Sequence, residues 1–131
     1  MGLATDMRPA TKVVATALTV AMFGCSSPAP AEQEGEEVVA AVCEARAAAA
    51  GGDADGARRT FVNNAHGRLH ELAAETGRVD RRAEARLLEA KQRVEAVLEE
   101  PGPDFADRLE RLAVAAAEAA EVVDDERPAG C

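Results

Sequence analysis

Four stretches of this 131-residue chain place apolar residues three and four apart, and each stretch ends at residues that stop a helix. That repeat restricts the fold more than anything else in the sequence. Residues at this spacing share one face of an α-helix, so each stretch has one stripe to bury. The first covers about residues 36–50, with Val38, Val42, Ala45 and Ala49 on its stripe, and Gly51-Gly52 ends it. Asp53 suits the N-cap of the second. That stretch, about residues 54–76, carries Ala54, Ala57, Phe61, Ala65, Leu69 and Leu72 along one face. Gly77 closes it, and Asp80 caps the third, about residues 81–100, which aligns Ala83, Leu87, Ala90, Val94 and Val97. Pro101-Gly102-Pro103 breaks the chain before the fourth, about residues 104–123, and Pro103 suits a first helical position. Its stripe is Phe105, Leu109, Leu112, Ala116 and Val123. No segment shows the alternation of a strand. Four amphipathic helices of similar length with short connections predict an all-α domain over residues 36–131, an antiparallel up-down four-helix bundle. An elongated coiled-coil hairpin is the alternative.

The chain has three Phe and neither Trp nor Tyr, and only Phe61 and Phe105 fall within the four stretches. The core is therefore built from Ala, Val and Leu. Such side chains let helices approach closely but bury little area per residue, so a small domain of this kind needs a staple.

Ahead of the helices, Arg8 and Lys12 give a charged start, residues 13–23 form an uninterrupted and mostly apolar run, and Gly24 precedes Cys25. This is the layout of a secretory signal peptide. The run is too short for a membrane span, which needs about 20 apolar residues, and Ser26, Ser27, Pro28 and Pro30 prevent its continuation. Met22-Phe23-Gly24-Cys25 resembles the lipobox of bacterial lipoproteins. The resemblance implies loss of residues 1–24 and attachment of palmitate and kindred acyl chains at Cys25. It also implies anchoring at the extracytoplasmic face of a cell membrane or in the periplasm. A signal peptide cut after an Ala within residues 29–31 is the other reading. Residues 25–35 then read as the acylated cysteine and a flexible Pro/Ser/Glu-rich tether.

Without Arg8, Lys12 and Asp6 the expected mature chain has 13 basic and 23 acidic residues, a formal charge of −10. That balance excludes nucleic acid as a partner, since phosphate binding needs clustered Lys and Arg. It also excludes electrostatic attachment to anionic lipid, so membrane contact runs through the lipid anchor. With Cys25 acylated, Cys43 and Cys131 remain, and an oxidising compartment predicts their disulfide. The rival is an intermolecular bridge through the accessible Cys131.

One segment carries a constellation of interest, Asn63-Asn64-Ala65-His66-Gly67-Arg68-Leu69-His70-Glu71. His66 and His70 are the chain's two histidines, four apart on one helix, so both rings project from one side. That is the spacing of the zinc-peptidase motif His-Glu-x-x-His, but Gly67 stands where its general base belongs, which excludes the protease reading. A transition metal needs a third ligand from another helix, with Glu84, Glu95 and Glu118 as candidates. On a regular wheel, about 100° per residue, His66 and His70 sit about 100° and 140° from the core direction, at boundary and surface positions. Gly67 costs helix stability and would suit close approach of a neighbour. Covalent-haem, inward Glu-x-x-His, nucleophile-elbow and phosphate-loop motifs do not occur, so the chain reads as no enzyme. Arg81, Arg82, Glu84, Arg86, Glu89, Lys91, Arg93, Glu95 and Glu99 dress the third helix in mixed charge, with Leu88 and Val114 opposite their core stripes. Two functions of different class follow. The first is a membrane-anchored, non-catalytic helical module that binds another envelope protein. The second is a metal-binding or metal-buffering bundle using His66 and His70.

Overall fold

The computed structural model describes Gly24 and residues 30–131. Cys25, the rest of the expected leader and the first part of the expected tether lie outside the described residues. Among the described residues the structure is helical and contains no strand. Helix α1 is Pro30–Ala50, α2 spans residues 54–79, α3 is Arg81–Glu95 and α4 is Phe105–Asp124. Helix α2 has three parts: α-helical Ala54–Thr60, a wider π turn at Phe61–Ala65, and α-helical His66–Val79. No helix among the described residues is long and apolar enough to cross a membrane.

Helix α1 starts at Pro30, earlier than the spacing of its stripe predicts, so residues 30–35 of the expected tether are helical. Proline is accepted in a first turn because its missing N–H has no intrahelical partner there. Gly35 then gives this turn a reason to order: a Cβ at that position would stand 2.9 Å from the Cβ of Ala120 on α4. The two backbones approach too closely for any larger residue.

Helix α1 ends as predicted. Gly52 takes φ +86°, its N–H donates to the Ala49 carbonyl, and the Asp53 N–H reaches back to Ala48. This left-handed cap satisfies carbonyls that the helix end would otherwise leave unpaired. Asp53 begins α2 by accepting from the Gly56 N–H at 2.8 Å. Gly77 does not end α2, contrary to its reading as a breaker, because glycine costs a helix only about 1 kcal/mol. The Glu84 carboxylate lies over the bare turn that Gly77 leaves. The helix stops instead at Asp80, whose backbone is extended (φ −140°, ψ 104°). Its side chain accepts from the N–H groups of Arg82 and Ala83 at 2.7 and 3.1 Å. Those bonds from Ala83 and Arg82 hold the Asp80 carboxyl below its ordinary value.

Helix α3 is shorter than predicted. After Glu95 the chain tightens, with N–H groups of Val97 and Leu98 donating to Val94 and Glu95 carbonyls three residues back. This turn folds Val97 and Leu98 onto the core. Pro103 falls outside α4, and Asp104 occupies the N-cap position.

Helix α1 packs on α2 and α4, α3 packs on α2 and α4, and α2 also meets α4. The α1–α2 and α1–α4 contacts are about equally extensive and exceed the others. The predicted stripes are the core: Val38, Val42, Ala45, Phe61, Ala65, Leu69, Leu87, Val94, Leu109, Leu112 and Ala116 are buried, while Ala49, Ala90, Val97 and Val123 are partly so. Two expectations fail. Leu88 is half-buried against the core, not opposite it, whereas Val114 is exposed. Lys91, expected on the charged face, is only 3% exposed.

Cys43 on α1 and Cys131 are joined by a disulfide, with Cα atoms 5.2 Å apart across a sequence separation of 88. Crosslinking so long a segment removes much of the unfolded chain's freedom, typically about 2–4 kcal/mol. For a core of Ala, Val and Leu that is a large share of total stability. Cys131→Ser in the full chain is expected to lower the urea-unfolding free energy by about 2–4 kcal/mol and to match the reduced parent. A variant as stable as the oxidised parent would contradict the role of the bridge.

Candidate metal site

On a regular helix, residues four apart drift about 40° per step, since each step covers slightly more than one turn. Ala57, Phe61, Ala65 and Leu69 follow one another at this spacing, yet all four are fully buried. The π turn resolves the conflict. The His66 N–H donates to the Phe61 carbonyl five residues back, which widens one turn and returns the following residues to the core side. Wide turns of this kind recur at functional sites, and this one delivers His66.

The His66 ring meets the buried Phe61 edge-on, with centroids 6.1 Å apart and planes at 77°. His70 meets His66 in the same manner at 5.1 Å and 81°. From α3, Glu95 reaches the pair: its Oε1 is 2.8 Å from His66 Nε2. One ligating atom from each of His66, His70 and Glu95 lies within 4.8 Å of the other two. His66 and Glu95 are half-buried and His70 is exposed, so the cluster is open to solvent on one side.

Lys91 comes from beneath. Its ammonium donates to the same Oε1 of Glu95. Burial pushes the Glu95 carboxyl up, but the hydrogen bonds and charge of Lys91, with those of His66, outweigh it and hold the group below its ordinary value.

Of the three carboxylates considered as a third ligand, the fold brings Glu95 to the histidines. Glu84 covers Gly77, and Glu118 faces Arg86 at 3.8 Å and Arg127 at 3.3 Å. Lys91 belongs to this cluster too, and the sign of it in the sequence is that the chain has no other lysine after Lys12. Gly67 admits no neighbour: nothing lies within 4 Å of where its Cβ would be.

Two imidazoles and a carboxylate are the donors that zinc, copper(II) and nickel(II) accept. Bonds of about 2.0–2.2 Å in tetrahedral geometry require donors about 3.4 Å apart. The separations in the cluster run from 2.8 Å for His66–Glu95 to no more than 4.8 Å, so small rotations of these half-exposed side chains would bring the donors to that spacing. No protein-family model matches the chain, and neither does any curated protein or solved structure.

Gly67→Ala tests whether this surface turn is free of packing demands. With open space at the Cβ, the variant is expected to gain about 0.5–1 kcal/mol in thermal or urea unfolding. A loss of stability would mean that the turn is constrained.

Proposed function

We propose that this protein is a lipid-anchored, extracytoplasmic, non-catalytic helical bundle that binds a transition-metal ion at His66, His70 and Glu95. The observation that carries the metal reading is the convergence of those three donors within 4.8 Å, from two helices. The expected net charge of −10 favours cations over anions throughout the surrounding field.

Several observations support the up-down antiparallel arrangement. Gly35 lies against Ala120 while Arg46 Nε is 2.9 Å from Glu110 Oε2, so α1 and α4 pair in opposite directions. The pairs Arg86–Glu118 and Arg108–Arg93 run oppositely along α3 and α4. The anchor rests on Gly24-Cys25 behind the apolar run of residues 13–23. Pairing of Cys43 with Cys131 is consistent with an oxidising compartment.

The interaction-module reading has one observation in its favour. Between α3 and α4 lies an open cleft of about 430 Å³ in which arginines and carboxylates alternate, among them Arg86, Glu89, Arg93, Asp107 and Arg111. A charged segment of another envelope protein would fit it.

Titration of the tag-free full chain in detergent with zinc, copper(II) or nickel(II) separates the two. Submicromolar one-to-one binding that is lost in His66→Ala and in His70→Ala is the expected result. Flat titrations, or weak binding that survives both substitutions, would retire the metal reading and leave the cleft and a protein partner.

A further inference from the structure

Lys91 is the residue of the site that a metal does not need. Twelve arginines serve the expected mature chain as its other cations, and lysine is used once, at this position. Its side chain is 3% exposed, and its ammonium rests on Glu95 Oε1, the same atom that His66 Nε2 contacts. A buried ammonium is stable only with a partner, and Glu95 is the carboxylate the structure gives it. Lys91 is one of the buried residues of α3, with Ala83, Leu87 and Val94, so its apolar stem lies on the buried face of the helix.

An ion binding at His66, His70 and Glu95 therefore meets a carboxylate whose charge is already balanced. It either shares Glu95 with the ammonium or takes it over, and like charge opposes it at short range in either case. We infer that Lys91 is an internal counter-cation, competing with a divalent metal for the Glu95 carboxylate and keeping the site weak enough to exchange its ion. This inference rests on the metal reading above. It makes the site one that takes up and releases metal, with the empty form held together by Lys91 in place of the ion.

The competition makes a demand that simple packing does not. Lys91→Met keeps the stem and removes the charge, so it should tighten binding, and the gain should depend on Glu95. The experiment is calorimetric titration of zinc alone into the tag-free full chain in detergent, comparing the parent, Lys91→Met, Glu95→Gln and the double variant. Lys91→Met is expected to bind at least about tenfold more tightly than the parent. In the Glu95→Gln background the same substitution is expected to tighten binding by clearly less, because like-charge repulsion remains but no carboxylate is contested. Glu95→Gln alone leaves the buried ammonium unpaired, and Glu95→Ala with Lys91→Met/Glu95→Ala gives a second cycle that reads the same dependence. Helicity by circular dichroism checks that each variant is folded.

Unchanged or weaker binding by folded Lys91→Met would overturn the inference, and so would equal tightening with and without Glu95. Neither result touches the metal reading if the parent binds one zinc through its histidines. If no variant binds zinc one-to-one, the metal reading itself fails and Lys91 is a structural ion-pair partner of Glu95.

Discussion

The hydrogen bond from the His66 N–H to the Phe61 carbonyl is the point on which fold and site both depend. A regular helix would carry Leu69 well off the direction of Ala57, because three four-residue steps accumulate about 120° of drift. The wider turn absorbs that drift, and Ala57, Phe61, Ala65 and Leu69 all remain buried. The same rotation sets His66 on the edge of Phe61, facing Glu95 across the α2–α3 seam. Core packing and the placement of His66 thus have one local cause.

The second constraint is the shortage of large side chains. With Phe61 and Phe105 as the aromatic residues of the core, the helices must come close to exclude water. Gly35 against Ala120 is the visible case, and the Ala-rich stripe of α4 (Ala113, Ala116, Ala117, Ala119 and Ala120) is its continuation. Close packing of small residues buries modest area, so the Cys43–Cys131 bridge contributes what a larger core would supply in another bundle. That bridge also secures the tail beyond α4 to α1.

Much of this was legible in the sequence, and the failures are physical. Apolar residues three and four apart located the helices and most of the core, and the two cysteines left after Cys25 located the bridge. Helix ends were misread where a single residue was given more weight than its surroundings. Gly77 looks like a stop in the sequence, although it lies inside α2 beneath Glu84. Pro30 and Gly35 read as tether by composition, although both lie in α1 and Gly35 packs against Ala120. His66 and His70 were found by their spacing, but a wheel of fixed pitch carries no information about a π turn. The strict four-residue spacing of Ala57, Phe61, Ala65 and Leu69 was the available sign of it. Glu95 could not be chosen over Glu84 and Glu118 because that choice depends on how α3 sits against α2. Lys91 is hidden by its charge, since a lysine beside Arg93 and Glu89 looks like solvated surface, although it is buried like its helix neighbours Leu87 and Val94.

The central claim is that His66, His70 and Glu95 together hold a metal ion. X-ray absorption spectroscopy on the copper(II)- or zinc-loaded full chain tests it most directly, because it reports the donor atoms. The account predicts scattering from two imidazoles together with oxygen donors, and loss of the imidazole signal from His66→Ala/His70→Ala. A spectrum of oxygen donors alone, or one unchanged by the double substitution, would contradict it.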